Sequence, residues 1–231
     1  MTQKNQKFHF NLLDWGFIAV ALIAAVYTLL TSSDAQPLYL AATLITLITG
    51  VFYMILGAKG RRSNFIFCII NTLTFAFVAY ANQFYGSLAI NLLYYLPCSF
   101  IGFYLWGRNS RQNHEVIARK LALRQAIIIA VALIIGTTGL KFALDALGGT
   151  STFLDSLGTI SAIIANLLVL ARYREQWLVW MISDLAQLAL WGFTGDPAMI
   201  ALRILYPITA IYGYINWRKL VKSPKSKSPQ K

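Results

Sequence analysis

The chain consists of long apolar runs separated by short polar connections. A membrane-spanning helix needs roughly 20 mostly apolar residues. Eight stretches meet this requirement: 15–32, 38–57, 64–82, 85–106, 125–147, 151–171, 176–194 and 197–217. Apolar and polar residues do not alternate strictly within them. Because backbone polar groups must be satisfied inside a bilayer, such runs predict helices rather than the strands of a barrel.

Composition supports a protein that lies almost wholly inside a membrane. Hydrophobic residues make up 58% of the 231 residues and charged residues 12%, and the mean hydropathy is +0.60. A soluble domain of this length could not bury so much apolar surface in its core. The predicted fold class is therefore an all-α membrane protein with little mass outside the bilayer.

The basic residues that give the net charge of +12 are concentrated in alternate connections between the predicted spans. Basic clusters follow the second, fourth, sixth and eighth predicted spans, whereas the intervening connections carry Asp34, Asp145, Asp155 and Asp196. This alternation obeys the positive-inside rule and predicts that both termini are cytoplasmic. A nucleic-acid-binding surface would not alternate with spans, so the expected surroundings are the lipid bilayer and not nucleic acid. Residues 218–231 are predicted to be a disordered basic tail near anionic headgroups.

The first apolar run allows two interpretations. Lys4 and Lys7, the run Gly16–Leu30 and the segment "SSDAQ" (32–36) resemble a signal peptide cleaved after Ala35. The run is long for a signal peptide, so a retained transmembrane helix over residues 1–34, outside the core, is favoured.

An internal repeat relates the two halves of the chain. "FIGFYLWGR" (100–108) resembles "AIYGYINWR" (210–218), and one offset of 111 residues pairs Tyr95 with Tyr206, Gly102 with Gly213, Phe103 with Tyr214 and Trp106 with Trp217. The offset predicts three-helix repeats over 38–106 and 151–217, joined by a connecting helix over 125–147. A single connector gives both triplets the same orientation. Parallel repeats are typical of transporters that bind substrate between the repeats near the bilayer midplane.

The seventh span carries a polar and aromatic stripe within "EQWLVWMISDLAQLALWG" (175–192). Its members recur at helical spacing: Trp177, Trp180, Asp184, Gln187 and Trp191. A carboxylate in hydrocarbon costs several kcal/mol, so this stripe is expected to face the bundle interior. Other spans add Asn71, Asn91, Tyr95 and Tyr212. Each amide or hydroxyl alone is more typical of interhelical hydrogen bonding, but together they favour a polar cavity.

The chemistry of these residues indicates the class of cargo. Tryptophan faces attract flat rings and cations, and Asp184 favours a cation or accepts hydrogen bonds from hydroxyl groups. Within the predicted spans the basic residues are Lys141 and Arg203, which is little positive charge for a phosphorylated ligand. The expected cargo is a flat, polar, neutral or cationic small molecule. Arg203 could instead pair with Asp184, which would give that carboxylate a structural role.

Motifs for other functions are missing from the sequence. Cys68 and Cys98 have no metal-ligand spacing, His9 and His114 are far apart, and no nucleotide-binding fingerprint occurs. We therefore predict no catalytic residues, no metal and no cofactor. A membrane enzyme acting on lipid substrates, the rival hypothesis, would need paired acids near the cytoplasmic boundary, where only Glu115 and Glu175 lie. The sequence leaves a homo-oligomer open.

The W-x-x-W spacing in "EQWLVWMISD" (175–184) and the helix endings "GFYLW" and "YGYINW" resemble the PnuC family of bacterial vitamin transporters. The similarity covers roughly residues 38–220. It implies a 3+1+3 helix bundle like that of SWEET transporters, with an extra N-terminal helix, in the bacterial inner membrane. It also implies uptake of nicotinamide riboside, an NAD precursor, by facilitated diffusion; some relatives carry thiamine or riboflavin. By position in the motif, Trp180 and Asp184 are the leading substrate contacts, followed by Gln187, Asn71, Asn91, Tyr95, Tyr212 and Trp177.

Overall fold

The computed structural model describes residues 10–31, 36–111, 115–194 and 197–222. The regular elements of this part of the chain are helices, as predicted: α1 (Leu12–Thr31), α2 (Pro37–Ala58), α3 (Asn64–Ala81), α4 (Tyr85–Ile90), a π-helical segment (Asn91–Tyr95), α5 (Leu96–Arg108), α6 (Leu123–Ala146), α7 (Thr152–Leu170), α8 (Gln176–Thr194) and α9 (Pro197–Lys222). The prediction of an all-helical chain is confirmed for these residues. Parts of the predicted N-terminal segment (1–9 and 32–34) and most of the basic tail (223–231) lie outside them.

Six helical stretches are long and apolar enough to cross a membrane: Leu12–Leu30, Pro37–Ala58, Asn64–Ala81, Leu88–Arg108, Leu123–Ala146 and Thr152–Leu170. They correspond to the first six predicted spans. Helix α8 carries Gln176, Asp184 and Gln187 in an otherwise apolar sequence, and α9 is the least apolar of the long helices. The seventh and eighth spans are helices, but their crossing of the membrane stays a prediction.

Large apolar side chains lie on the outer surface of these helices. On α6, Ile127, Ile134 and Phe142 are 54%, 63% and 65% exposed. Contiguous apolar surface of this kind is rare on a protein in water. It is the surface expected of a helix that faces lipid.

The described residues divide into two compact units, unit 1 (10–116) and unit 2 (117–222). In unit 1, α1 packs on α2, α2 on α3, and α3 on α5; in unit 2, α6 packs on α7, α7 on α8, and α8 on α9. The middle helices are therefore α3 and α8. Helix α6 groups with the second triplet, and the division into two repeats with a connector stays a prediction.

The turns before the two middle helices have the same hydrogen bonds. Gly60 (φ 66°) and Arg172 (φ 64°) both adopt the left-handed conformation just after a helix. The next amide, of Arg61 or Tyr173, donates to the carbonyl of Leu56 or Leu168 at 2.9 Å in each case. This is the Schellman arrangement that ends a helix by satisfying its last carbonyls. The offset between these turns is 112 residues, one more than the offset between α5 and α9.

A ring packed on a glycine joins each middle helix to the last helix of its unit. In unit 1, a Cβ on Gly102 would lie 2.3 Å from the Phe65 ring, and Phe65 meets Trp106 edge-on at 4.9 Å. In unit 2, a Cβ on Gly213 would lie 2.4 Å from the Trp177 ring. Trp177 in turn meets Trp217 at 6.4 Å. Both partner tryptophans, Trp106 and Trp217, are fully buried, so these contacts form the core at the end of each unit.

An ion pair joins the N-terminal helix α1 to the end of α2 within unit 1. Asp14 in the first turn of α1 is fully buried and pairs with Lys59 at the end of α2. The Lys59 ammonium also lies 5.2 Å from the centre of the Phe10 ring. Lys59 belongs to the basic cluster that follows the second predicted span, and its neighbours in the sequence do not indicate a partner 45 residues away.

Candidate functional site

The predicted stripe on α8 faces two neighbouring helices of unit 2. Trp177 is 9% exposed and packs on Gly213 of α9. Trp180 is half-buried and packs against a cluster formed by Ala165 and Leu168 of α7, Tyr173 of the following turn and Val179 of α8 itself. Side chains three residues apart on a helix point about 60° away from each other. This angle is enough for Trp177 and Trp180 to contact different helices. Trp177 is thus a packing residue toward α9, and Trp180 lies on the α7 side.

Gln187 also lies on the α7 side. A Cβ on Gly158 of α7 would be 2.6 Å from Gln187 Nε2, so the amide occupies the space that this glycine leaves empty. One turn earlier, the hydroxyl of Ser183 donates to the Gly158 carbonyl at 2.8 Å. Ser183 was missed in the sequence analysis because its role depends on the register of α7 against α8. The bond fixes that register beside Gln187.

Asp184 is half-buried on α8, directly after Ser183. The alternative partner proposed for it, Arg203, has its side chain outside the described part of the structure, as does Trp191. The choice between a substrate contact and an ion pair therefore stays a prediction.

Helix α7 brings buried hydroxyl groups to the same unit. Ser156 and Ser161 are fully buried, and their hydroxyl oxygens have no hydrogen-bond partner among the described residues. Neither has the Nδ2 atom of Asn166. Buried polar groups are normally paired with protein or ordered water. These atoms make unit 2 able to hydrogen-bond water or a polar ligand inside the membrane.

In unit 1, Asn71 of α3 is engaged with α2. Its amide nitrogen donates to the Thr46 carbonyl at 2.7 Å and to the Thr49 hydroxyl at 3.3 Å. Thr46 also donates through its hydroxyl to Thr74 at 2.7 Å. These bonds make Asn71 part of an interhelical seam, which is the role that an isolated amide in a span most often has.

Asn91 and Tyr95 are the first and last residues of the π-helical segment. The amide of Leu96 donates to the Asn91 carbonyl, five residues back. Pro97 then opens α5, where it lacks the N–H that a continuous α-helix would use. Single π-helical turns occur often at functional sites. The sequence analysis named both residues but not this change of helix type.

The equivalent stretch of α9 carries Pro207 inside the helix. Nearby, the Thr209 hydroxyl donates to the Leu205 carbonyl at 3.0 Å, and Tyr212 is buried at 7% exposure. A proline in a helix interior removes one backbone hydrogen bond and weakens the helix at that point. Unit 1 thus changes helix type, and unit 2 has a proline inside a continuous helix, at corresponding positions.

An ion pair lies near the end of α6. Lys141 pairs with Asp145 at 2.6 Å, and Asp145 also accepts from the Thr152 hydroxyl. Among the described residues, no three His, Cys, Asp or Glu side chains gather where they could hold a metal ion.

Comparison with known proteins agrees with this architecture. A sequence profile described as nicotinamide mononucleotide transporter matches residues 40–219. The nicotinamide riboside transporter PnuC of Haemophilus influenzae is 36% identical over 209 residues, which cover 89% of this chain and 89% of that protein. The protein of the same name from Neisseria mucosa is 33% identical over 190 residues, covering 77% and 72%.

A solved structure extends the likeness to the fold. The crystal structure of the vitamin B3 transporter PnuC is similar with a TM-score of 0.73 at 27% identity, and the match covers 94% of this chain and 96% of that one. The resemblance inferred from the W-x-x-W segment and the helix endings is thereby confirmed. This chain belongs to the PnuC family of membrane transporters.

Proposed function

We propose that this chain carries nicotinamide riboside across the bacterial inner membrane by facilitated diffusion and so supplies a precursor of NAD. The support is its membership of the PnuC family and the names of its relatives from H. influenzae and N. mucosa, which are nicotinamide riboside transporters. A transporter family points away from the rival hypothesis of a membrane enzyme acting on lipid substrates.

One observation carries the assignment of the substrate contacts. At the positions of the middle helices related by the 112-residue offset, unit 1 has Thr72 and Phe75, whereas unit 2 has Asp184 and Gln187. The helical framework is built in unit 1 without a carboxylate or an amide at these places. We infer that Asp184 and Gln187 serve the ligand, and that Gln187 in addition fills the space beside Gly158.

The chemistry of nicotinamide riboside suits these groups. Its pyridinium ring is a flat cation, for which Asp184 would be the counter-charge and Trp180 an aromatic face. Its carboxamide and ribose hydroxyls match the amide of Gln187 and the buried hydroxyls of Ser156 and Ser161. Of the other predicted contacts, Asn91, Tyr95 and Tyr212 keep this role in the proposal. Asn71 is assigned to packing instead, because its amide already donates to α2, and Trp177 because it packs on α9.

A phosphorylated cargo such as the mononucleotide is the second candidate, since the matching family profile bears that name. A phosphate inside the bilayer would need a positive partner. Of the two basic residues within the predicted spans, Lys141 is already paired with Asp145 near the end of α6, and Arg203 alone is little positive charge for a phosphate. We therefore favour the riboside. Thiamine, which is also a flat cation, and riboflavin are the alternatives among vitamins.

We propose that no ion gradient drives transport and that phosphorylation inside the cell makes uptake directional. The π-helical segment and Pro207 would be the places where helices bend when the transporter changes between inward-open and outward-open states. Both termini are proposed to be cytoplasmic. A reporter fused after Lys231 that becomes active only on the outer face of the membrane would contradict that orientation.

Measurements of binding and of uptake together test which substrate the protein carries. Purified protein should bind nicotinamide riboside in preference to the mononucleotide, thiamine and riboflavin in calorimetric titrations. Proteoliposomes should equilibrate the riboside without any ion gradient. Tighter binding of the mononucleotide, or uptake that collapses when ion gradients are removed, would overturn the proposal.

Asp184→Asn tests the contact itself, because it keeps the shape and removes the charge. Affinity for nicotinamide riboside should fall by about 1.5–3 kcal/mol, the size of a hydrogen bond to a charged group, with little change in melting temperature. The matched control is Asp145→Asn, which removes a carboxylate whose partners lie near the helix end and should leave affinity unchanged. If Asp184 instead pairs with Arg203, the variant should lose roughly 3–5 kcal/mol of stability and keep its affinity.

A further inference from the structure

A cavity of about 330 Å³ lies beside the α2–α3 turn of unit 1. Its walls are formed by the polar residues Arg61, Arg62 and Ser63 and the apolar residues Ile66 and Phe103. The turn connects two membrane-spanning helices, so the cavity is at the boundary between membrane and water. The transport function leaves this cavity without a role.

The arrangement of Arg62 gives the cavity its charge. Its guanidinium lies 4.8 Å from the centre of the Phe103 ring and extends across Gly107 of α5, where a Cβ would come within 2.7 Å of Nη1. The apolar wall continues along α3 at Ile66, which is 47% exposed. A cation at the membrane surface above apolar side chains matches an amphiphilic anion.

The turn between α7 and α8 of unit 2 is equivalent to the α2–α3 turn and carries different side chains. There Arg174, equivalent to Arg62, lies 5.5 Å from the centre of the Tyr214 ring. Its Nε donates to Oε1 of the next residue, Glu175, at 2.8 Å, and Oε2 of Glu175 accepts from the Leu121 amide at 3.0 Å. Unit 2 thus holds a carboxylate beside its stacked arginine.

Unit 1 has Ser63 at the position of Glu175. The Ser63 hydroxyl does not cap α3. The first amides of that helix are already bonded to carbonyls of the turn, including Asn64 to Arg61 and Ile66 to Ser63. The turn therefore supplies a guanidinium and a hydroxyl, but not the carboxylate that unit 2 builds into the same place.

We propose that this cavity binds the phosphate group of an anionic phospholipid, with Arg62 and Ser63 as hydrogen-bond donors. The acyl chains then run along Ile66 and down the surface of α3. Basic pockets between membrane helices are suited to anionic headgroups, and arginine binds phosphate through its planar donors. The apolar wall and the position at the end of two spans favour a lipid over a soluble phosphate.

The test compares lipid retention by variants of the full chain. Protein purified in mild detergent is exposed to mixed micelles with equal amounts of phosphatidylglycerol and phosphatidylcholine, and bound lipid is counted by native mass spectrometry. Arg62→Gln should lower phosphatidylglycerol retention about five-fold, as expected for one arginine near the membrane surface. Ser63→Glu, which installs the carboxylate of unit 2, should lower it at least as much while leaving the melting temperature unchanged or higher.

Two further variants sharpen the result. Arg108→Gln removes a nearby cation that stacks on Tyr104 and does not line the cavity, so retention should stay at the wild-type level. Gly107→Ala should fold but displace the Arg62 guanidinium, and retention should fall. If Arg62→Gln does not fold, Ser63→Glu and Gly107→Ala decide the question.

Three outcomes would overturn the proposal. One is unchanged phosphatidylglycerol retention in folded Ser63→Glu and Gly107→Ala. Another is an equal loss in Arg108→Gln, which would indicate a diffuse charge effect. The third is displacement of the lipid by inorganic phosphate or glycerol phosphate at millimolar concentration, which would assign the cavity to a soluble anion.

Discussion

The two units use the same contacts to hold their helices and different side chains at the positions available for chemistry. The Schellman turn recurs at Gly60 and Arg172, and the ring on glycine recurs at Gly102 and Gly213. Even the bond from the middle helix to its predecessor recurs. Asn71 donates to Thr46 in unit 1 and Ser183 to Gly158 in unit 2, each related by 112 residues.

The differences are concentrated in three places. Unit 2 has Asp184 and Gln187 where unit 1 has Thr72 and Phe75, and it has Glu175 where unit 1 has Ser63. Unit 1 has a π-helical segment in its last helical stretch, whereas unit 2 has Pro207 inside the continuous helix α9. The packing contacts are thus repeated in both units. The side chains that suit a ligand are not repeated, because each occurs in only one of the two units. The predictions below test whether the repeated contacts are equivalent in energy.

The largest expected effect comes from the two buried tryptophans. Trp106→Ala and Trp217→Ala should each reduce the free energy of unfolding by about 3–5 kcal/mol, because both side chains are fully buried and their removal leaves a large cavity. Chemical unfolding in detergent micelles measures the loss. Trp177→Phe, which gives unit 2 the ring type of unit 1, should cost less than about 1.5 kcal/mol. A loss in one unit alone would show that the two cores are not equivalent.

The next effect comes from the glycines under the rings. Gly213→Ala would place a Cβ 2.4 Å from the rigid, buried Trp177 ring, and such overpacking should cost about 1–3 kcal/mol. The control is Gly139→Ala on α6, whose Cβ meets nothing within 4 Å, and which should be neutral or stabilising by up to about 1 kcal/mol. Thermal unfolding of both variants checks this pair. Recovery of stability in Gly213→Ala/Trp177→Leu would assign the loss to that one contact.

Much of this architecture could be predicted because its causes are local in sequence. Apolar length predicts the helices directly, and the pairing of Gly102 with Gly213 and of Trp106 with Trp217 comes from residues that recur visibly. The change of offset from 111 to 112 was not visible, because it falls before Tyr95 and Tyr206, where the sequences of the two units differ.

The candidate site was harder to predict than the helices. Helical spacing placed Trp177 and Trp180 on one stripe, but which neighbour each one meets depends on the rotation of α8 between α7 and α9. The bond from Ser183 to Gly158 depends on the register of two helices, and the ion pair of Asp14 with Lys59 joins residues 45 apart. The sequence pattern of a single helix contains no information about such contacts.

A smaller effect should follow from the ion pair that distinguishes the two arginine turns. Glu175→Gln removes the charge that pairs with Arg174 at 2.8 Å, where both side chains are about 15% exposed, and should cost about 1–2 kcal/mol. The reverse change in unit 1, Ser63→Glu, should stabilise by only about 0.5 kcal/mol because Arg62 is exposed. Thermal unfolding at low and high salt checks both. A Glu175→Gln variant as stable as wild type would mean that the pair contributes nothing to the turn.

The smallest expected change in stability comes from the two residues in the left-handed conformation, Gly60 and Arg172. Gly60 adopts φ 66° without strain, whereas Arg172 adopts φ 64° with a Cβ, which costs about 1–2 kcal/mol for a residue other than glycine. Burial lowers the pKa of Arg172, and the nearby Arg119 guanidinium lowers it further. For a base, a lowered pKa means that the folded state disfavours the charged form. Since the guanidinium stays charged at neutral pH, this cost is present there and is removed with the side chain.

Arg172→Gly should therefore raise the free energy of unfolding at pH 7. The expected gain is about 0.5–1 kcal/mol, because the greater freedom of glycine in the unfolded chain offsets part of the relief. The carbonyl of residue 172, which accepts from the Arg119 amide at 2.8 Å, is kept in the variant. Gly60→Ala is the mirror experiment and should cost about 1–2 kcal/mol. If Arg172→Gly melts lower than wild type, the Arg172 side chain stabilises unit 2 by more than its backbone conformation costs, and the two turns share their hydrogen bonds but not their energetics.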